Sequence, residues 1–240
     1  MCTELVLLGT AGGPLPVAGR AGISSALIVG QRVFVIDCGR GVSSAFVDRG
    51  LDFRQLEAVF LTHFHADHIG DLPGLLIYPW GVRAVADTPL PPVRVYGPSR
   101  ASLPVGDGAF RRVTTIHQEL PAPGTQDLVE SILAGYAYHL NVMPLDARMP
   151  DPGQLVRAFD IRVASPITAE AGREPILVFA DDAIRVTAVP VRHGHAMPAV
   201  AYRFDTPHGS VVFSGDTAVD DNLIALAAGA DILVHQSCRP

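Results

Sequence analysis

Short apolar runs separated by glycine and proline recur along the chain, and runs of this length predict β-strands. Three such runs lie at 4–9, 25–29 and 32–37, with Gly30-Gln31 as a hairpin turn between the last two. A fourth, at 58–62, leads directly into a histidine-rich segment. The same pattern predicts later strands at 93–96, 159–163, 176–179, 184–189, 199–204, 210–214 and 231–235.

Segments with the spacing of helices lie between and after these strands. We predict helices at 41–48, 69–78, 124–140 and 219–228. The third is the most clearly amphipathic, with Thr125 as its N-cap and Asp127 in its first turn. Residues 144–156 are rich in proline, aspartate and glycine and are predicted to form a loop. Strands with helices between and after them indicate layered α/β packing.

The composition narrows the class of protein. A chain of 240 residues that is 48% hydrophobic can bury a full core as one domain. It contains no apolar run of the length that spans a membrane, and Met1–Gly9 lacks a basic leader, so we expect neither a membrane span nor a signal peptide. The cysteines Cys2, Cys38 and Cys238 are odd in number and widely spaced, which favours a reducing, cytoplasmic location.

All 18 basic residues are arginine, against 24 acidic residues. The absence of lysine excludes a Schiff-base lysine and a phosphate-loop lysine. The formal net charge of −6 argues against a polyanionic partner, because nucleic-acid binders normally carry a basic footprint. We therefore predict a small-molecule substrate and no nucleic-acid partner.

The segment Thr62-His63-Phe64-His65-Ala66-Asp67-His68 carries the strongest chemical signal in the chain. Imidazole nitrogen and carboxylate oxygen are the usual ligands of zinc and related divalent ions. His63 and His65 are two residues apart, so in an extended segment they project to the same side, whereas Asp67 and His68 must point elsewhere. This one motif can therefore supply ligands to two neighbouring metals.

The HxHxDH motif resembles that of the metallo-β-lactamase superfamily of metal-dependent hydrolases, in its ribonuclease Z, phosphodiesterase and arylsulfatase-like branch. The match runs from residue 4 to about 237, and 100–175 is the part least alike. The resemblance implies a single domain over 1–240 with a helical insert at about 100–156, folded as a four-layer αββα sandwich of two mixed sheets with helices outside. The other matching segments are Glu4–Thr10, Val33–Gly39, Leu72–Leu76, Val95–Pro98, Val191–His195 and Phe213–Thr217.

The resemblance also implies a dinuclear metal site and its ligands. We expect two Zn²⁺ per chain, with Mn²⁺ or Fe²⁺ as alternatives. A metal-bound water has its pKa lowered towards about 7, so hydroxide is available at neutral pH. Asp67 is further implied as the base that orients this nucleophile. The implied ligands are His63, His65 and His193 on one metal, Asp67 and His68 on the other, and Asp216 as a bridge.

Two departures from the superfamily pattern bear on the second metal. Members usually carry one more metal histidine beyond Leu233-Val234-His235, and the sequence shows none before Pro240. We therefore expect either a further C-terminal tail or a weakly held second metal. His235-Gln236-Ser237 also stands where relatives often have His-Glu and a small residue, so a carboxylate that would support the site is in question.

Three further residues are candidates for roles beside the metals. Asp37 closes an apolar run. We expect it to be either a hydrogen-bond partner of a metal-bound imidazole or a loop cap. His195 follows His193 by two residues and is placed either as the proton donor to the leaving group or as a plain surface or core histidine. His235 either supports the site or belongs to the core.

Substrate contacts are predicted on a flexible loop and on aromatic side chains. Arg20 follows a glycine-rich stretch and is a candidate anion contact. Tyr78 and Trp80 are candidate walls of a substrate pocket, although aromatic residues at such positions are more often core. The helix at 124–140 is open to three roles, as a lid, a dimer contact or an outer helix, and we expect a homodimer.

The leading prediction is a dinuclear zinc hydrolase that uses metal-bound hydroxide to cleave a small ester, such as a phosphodiester, an aryl sulfate or a lactone. The first alternative is a tRNA 3′-processing endonuclease like ribonuclease Z. Against it, only a short stretch joins Phe204 to Val211, where such enzymes carry a basic RNA-gripping arm. A mononuclear iron oxygenase acting on persulfides and a non-catalytic binding module are two further alternatives.

Overall fold

The computed structural model describes residues 2–84, 90–101, 116–147, 149, 151–163 and 174–236. Part of the predicted insert, at 102–115, lies outside the described residues, and so does Cys238. The segments predicted as strands and helices all fall within the described part of the chain.

Six strands form the first sheet, in the order in which they occur along the chain. They are β1 (Thr3–Gly9), β2 (Ser24–Val29), β3 (Arg32–Ile36), β4 (Leu56–Phe60), β5 (Val93–Pro98) and β6 (Val156–Ile161). The first three pair antiparallel, and β3 to β6 pair parallel. The hairpin between β2 and β3 turns at Gly30, whose φ of 66° suits glycine.

Five strands form the second sheet. They are β7 (Ile176–Ala180), β8 (Arg185–Val191), β9 (Ala199–Thr206), β10 (Gly209–Phe213) and β11 (Ile232–Val234). Their order across the sheet is β11-β10-β9-β8-β7. Neighbours pair antiparallel except for β10 and β11, which are parallel. Both sheets are therefore mixed, as predicted.

The helices are short apart from two in the insert. They are α1 (Val42–Asp48), α2 (Ala66–Ile69), α3 (Leu72–Ile77), α4 (Trp80–Ala84), α5 (Thr125–Gly135), α6 (Ala137–Ala147) and α7 (Asp221–Ala227). Single 3₁₀ turns lie at Phe53–Gln55 and Pro152–Gln154.

Three apolar clusters define the layers. One lies between the sheets and takes Phe34 and Phe60 from the first and Phe204 from the second. Another packs the outer face of the first sheet against α1, α3 and α5. The third packs the second sheet against α7. Helices thus cover both outer faces of two stacked sheets, and the predicted αββα sandwich is confirmed.

The insert was predicted to form one helix followed by a loop, and the structure differs from this prediction. The segment at 124–140 is divided between α5 and α6, and α6 continues through Pro144 to Ala147. A proline inside a helix removes one hydrogen bond and favours a break. Here Leu140 and Met143 pack on the apolar core of the first sheet, and this packing keeps the segment helical where its composition predicted a loop.

The start of α5 also differs from the prediction. Gly124, not Thr125, is the N-cap residue, because the Asp127 carboxylate accepts a hydrogen bond of 2.9 Å from the Gly124 N–H. Thr125 is instead buried, and its hydroxyl donates to the Pro98 carbonyl at 3.0 Å. The predicted helix at 69–78 corresponds to α3, and only Ile69 of it belongs to α2.

The direction of the strands decides where loops meet. The carboxyl ends of β1, β3 and β4 lie at one edge of the first sheet, because β2 is antiparallel to both β1 and β3 and β4 is parallel to β3. The carboxyl ends of β8, β10 and β11 meet in the same way in the second sheet. Hydrogen bonds join the two edges: Val200 N–H donates to the Thr62 carbonyl at 2.9 Å, and the buried Tyr202 hydroxyl donates to the Leu61 carbonyl at 2.7 Å.

Tyr202→Phe should lower the free energy of unfolding by about 1–3 kcal/mol, because the buried Leu61 carbonyl loses a hydrogen bond. Urea unfolding measures the change. Tyr138→Phe is the matched control, since Tyr138 is 83% exposed and should unfold like the wild type. If the Tyr202 variant unfolds at the same urea concentration as that control, the bond does not join the sheets as described.

Candidate metal centre

Three imidazole nitrogens converge where the two sheet edges meet. His65 Nδ1 lies 3.0 Å from His63 Nε2 and 3.2 Å from His193 Nε2. Two nitrogens bound to one tetrahedral zinc at 2.0–2.1 Å are about 3.3 Å apart, so this spacing suits a shared cation. Each residue comes from a strand end, His63 and His65 after β4 and His193 after β8.

A second group of ligand atoms adjoins the first. The nitrogens of His63 and His68 and a carboxylate oxygen of Asp216 all lie within 4.8 Å of one another. His68 Nε2 is 3.3 Å from Asp216 Oδ1, and the other Asp216 oxygen is 3.7 Å from His193 Nε2. The carboxylate thus faces both groups, which is the position expected of a bridge. Among the described residues, Asp67 belongs to neither group, and its Oδ2 lies 3.8 Å from His68 Nε2.

The Asp37 carboxylate, 2% exposed, holds this arrangement from behind. It accepts a hydrogen bond of 2.8 Å from His68 Nδ1, and two more from the Thr62 N–H and hydroxyl at 2.8 and 2.9 Å. Because the Thr62 hydroxyl donates to Asp37, it can only accept from His63 Nδ1, 3.0 Å away. His63 Nε2 is thereby oriented towards His65, and His68 Nε2 towards Asp216.

His68 Nε2 provides the clearest test of whether a cation fits. This atom is buried and makes no well-formed hydrogen bond among the described residues, although the Asp216 carboxylate lies 3.3 Å away. A buried polar nitrogen without a partner is costly unless something coordinates it. A divalent cation satisfies it, and the surrounding donors are imidazole and carboxylate groups of the kind that bind such ions. The site therefore fits a metal.

The charges of the cluster are strongly coupled. Burial, together with the nearby His68 imidazole, lowers the pKa of His63 to about 3, against the attraction of Asp216. Burial alone would lower the pKa of His68, but the Asp37 and Asp216 carboxylates outweigh it and raise that pKa to about 10. Burial also lowers the pKa of His193. His63 and His193 are thus neutral at pH 7 with lone pairs available, and a cation can replace the proton on His68.

The loop that carries Asp216 approaches the histidine motif very closely. Gly215 has a φ of 57°, and a Cβ built on it would lie 2.7 Å from the Thr62 Cβ. Glycine is required here by both the backbone conformation and the space. The backbone of α2 is held equally tightly, since the Cys38 N–H donates to the His68 carbonyl at 2.6 Å. These contacts place Asp216 and His68 against each other.

A cavity of about 490 Å³ opens beside the cluster. Its inner wall includes Asp37, Thr62 and His68, and its outer wall includes Arg20, His235 and Gln236. A cavity of this size, with polar groups gathered at one end, is typical of a small-ligand site. Arg20 lies on the wall, and its guanidinium donates to the Thr10 carbonyl and hydroxyl at 2.5 and 3.0 Å.

The remaining predicted residues lie in mixed positions. His195 is exposed, on the loop that follows His193. His235 donates or accepts through Nδ1 with the Ser214 hydroxyl at 2.8 Å, beside the cluster. Trp80 is 3% exposed and packs in the core, so its prediction as a substrate contact was wrong. Tyr78 is 69% exposed on the helical side and is not among the residues that line the cavity.

Sequence reasoning missed two residues of the site. The sequence predicts no separate role for Thr62, yet its hydroxyl connects Asp37 with His63. Gln236 is predicted only as a departure from the superfamily pattern, yet its amide contacts the Asp216 carboxylate. The position of Thr62 between a strand and the histidines could have suggested its role, whereas nothing local in the sequence connects Gln236 with Asp216.

The comparisons with known proteins agree with this geometry. The model of the metallo-β-lactamase superfamily matches residues 18–235. The chain belongs to the metallo-β-lactamase superfamily. Ribonuclease Z of Mycolicibacterium gilvum is 31% identical over 236 residues, which are 98% of this chain and 69% of the relative. Ribonuclease Z of Mycobacterium bovis is 32% identical over 238 residues, 98% of this chain and 70% of the relative.

Solved structures of the superfamily share the fold. Human tRNase Z, short form, has a TM-score of 0.66 at 20% identity, over 98% of this chain and 77% of that one. A metallo-β-lactamase fold protein from Bacillus subtilis has a TM-score of 0.59 at 17% identity, over 97% and 70%. The predicted superfamily and branch are confirmed, and the protein is a metal-dependent hydrolase. No helix in the described part of the chain has the length and apolar character needed to cross a membrane.

Asp37→Asn should weaken metal binding by about 10- to 100-fold, because the amide cannot accept from Thr62 and His68 as the carboxylate does. Isothermal titration of the metal-free protein with Zn²⁺ measures the affinity. Asp48→Asn, on the exposed end of α1, is the matched control and should bind like the wild type. Unchanged affinity in the Asp37 variant would show that this carboxylate is only a loop cap.

Proposed function

We propose that this member of the superfamily is an RNA phosphodiesterase of the ribonuclease Z type. The observation that carries the proposal is the pair of adjoining ligand groups, His63, His65 and His193 beside His68 and Asp216, in a chain that matches named ribonuclease Z proteins along 98% of its length. The proposal moves the tRNA-processing alternative ahead of the small-ester hydrolase. It also replaces the expectation that the protein has no nucleic-acid partner.

Cleavage of a phosphodiester requires positive charge held close to the phosphate. Bound divalent cations, proposed here as two Zn²⁺ with Asp216 between them, would offset the phosphate charge and lower the pKa of nearby water. The Asp67 carboxylate, 3.8 Å from His68 Nε2, would orient the attacking water and accept its proton. His195, on the exposed loop beside His193, would protonate the leaving oxygen. Arg20 on the cavity wall supplies positive charge to the substrate anion.

A small phosphodiester is the second candidate substrate. β9 and β10 are joined by a tight turn at Pro207-His208, with no room for an RNA-gripping arm at that place. The chain has a net charge of −6 and no lysine, which disfavours a long polyanion. The cavity of about 490 Å³ has the size typical of a small-ligand site. A single domain over 1–240 and a homodimer remain predictions.

His63→Ala should reduce cleavage to background, because it removes the nitrogen shared by both ligand groups. The assays are release of the 3′ trailer from precursor tRNA and hydrolysis of bis(p-nitrophenyl) phosphate, with and without a chelator. His208→Ala, an exposed histidine on the β9–β10 turn, is the matched control. Precursor tRNA cleaved with far higher kcat/KM supports the RNA enzyme. Cleavage of the small ester alone supports the second candidate, and full activity of the His63 variant contradicts both.

His195→Ala should lower kcat by about 10²-fold or more if His195 is the acid for the leaving group. Metal content should stay at the wild-type level. His117→Ala, an exposed histidine outside the cavity, serves as control. An unchanged kcat would leave His195 as a surface residue.

A further inference from the structure

The side chain of Gln236 reaches into the metal centre from the end of the second sheet. Gln236 follows β11 by two residues, and its amide directly contacts Asp216 Oδ1. With its nitrogen turned towards the carboxylate, the amide also lies 3.1 Å from Oδ2. Asp216 Oδ1 is the same oxygen that lies 3.3 Å from His68 Nε2. An amide, a carboxylate and a buried imidazole nitrogen therefore meet at one end of the cavity.

The two ends of this amide suit different states of the centre. Oxygen and nitrogen of a glutamine have nearly the same shape, and the hydrogen-bonding surroundings decide which faces a neighbour. Without a cation, the nitrogen must face Asp216, because an oxygen would meet only acceptors there. With a cation beside Asp216, the oxygen becomes the favourable end, because amide carbonyls are good ligands of hard divalent cations.

We propose that Gln236 is an oxygen ligand of the metal held by His68 and Asp216, and that its amide turns over when this metal binds. The inference rests on the proposed function, a phosphodiesterase that binds two metal ions. It makes the two metal positions chemically different. The position at His63, His65 and His193 offers three imidazoles, whereas the other offers the His68 imidazole, the His63 nitrogen that both groups contain, and oxygens from Asp216 and Gln236.

This difference sets the metal preference of each position. Imidazole ligands suit zinc, whereas carboxylate and carbonyl oxygens suit manganese and magnesium. The second position is therefore the one that accepts Mn²⁺ in a chain whose first position already holds Zn²⁺. A glutamate in place of Gln236 would add a negative charge against Asp216, and two such carboxylates ionise together only beside a cation. Glutamine adds no charge beside Asp216. The metal at this position is therefore released more readily than it would be from a glutamate.

Space for the amide to turn comes from Gly12 on the opposite loop. A Cβ built on Gly12 would lie 3.0 Å from the end of the Gln236 amide that does not face Asp216, closer than side chains normally pack. The φ of Gly12 is not in the left-handed range, so the glycine serves the neighbouring amide and not the backbone. The proposed function alone does not explain why glycine stands at this position, whereas the turning of the Gln236 amide does.

The test is manganese binding to the full chain preloaded with one equivalent of Zn²⁺. The electron paramagnetic resonance signal of free Mn²⁺ falls as the ion binds, which gives stoichiometry and affinity without any activity assay. We expect one Mn²⁺ per wild-type chain and a loss of about tenfold or more in Mn²⁺ affinity for Gln236→Leu, which keeps the size but lacks the oxygen. Zinc affinity at the first position should stay within about twofold. Gln126→Leu, at an exposed glutamine of α5, is the matched control.

A second variant keeps the inference testable if the leucine variant folds poorly by circular dichroism. Gln236→Glu retains a ligand oxygen and should bind Mn²⁺ at least as tightly as the wild type. Weaker binding by Gln236→Glu, or wild-type affinity in Gln236→Leu, overturns the inference. A wild-type chain that binds no Mn²⁺ beside Zn²⁺ overturns it too. A different result contradicts the proposed function: the wild type then cleaves no phosphodiester at any metal loading.

Discussion

The centre depends on the three hydrogen bonds accepted by the buried Asp37 carboxylate. Asp37 adopts a φ of 59°, a conformation that costs a non-glycine residue energy and persists where surrounding contacts fix it. Those contacts are the donors of Thr62 and His68, which are separated from Asp37 in the sequence and brought to it by the parallel pairing of β3 and β4. One carboxylate therefore orients the end of the metal-motif strand and the most buried imidazole together.

The same arrangement explains why the site needs a cation. Three imidazoles and a carboxylate lie within a few ångströms, and the resulting burial and repulsion lower the pKa of His63 to about 3. His68 is held as a charged imidazolium between Asp37 and Asp216 when no metal is present. A cation in this space satisfies His68 Nε2 and the Asp216 oxygens at once.

Much of this could be predicted from sequence, for identifiable reasons. The period and length of apolar runs predicted the strands of both sheets, because a strand buried on both faces reads as a continuous apolar run. The histidine motif predicted a metal centre because its residue types have few other uses at that spacing. The break between α5 and α6 and the continuation through Pro144 were not predictable, since packing of Leu140 and Met143 on the first sheet decides them.

The candidate site, like the fold, could be predicted only in part from the sequence. Side chains within the motif could be assigned roles from their spacing, but Trp80 was misplaced because its sequence neighbourhood does not reveal that it faces the core. The contact between Gln236 and Asp216 joins residues from different strand ends and becomes visible only once β10 and β11 are paired. Long-range contacts of this kind decide which neighbours of a recognised motif take part in its chemistry.

Anomalous X-ray diffraction at the zinc absorption edge, from crystals of the zinc-loaded protein, tests the central claim most directly. The account predicts two anomalous peaks per chain, one among the nitrogens of His63, His65 and His193 and one between His68 Nε2 and the Asp216 carboxylate. A single peak at the three histidines would contradict the dinuclear centre. No peak at either place would contradict a metal-dependent hydrolase altogether.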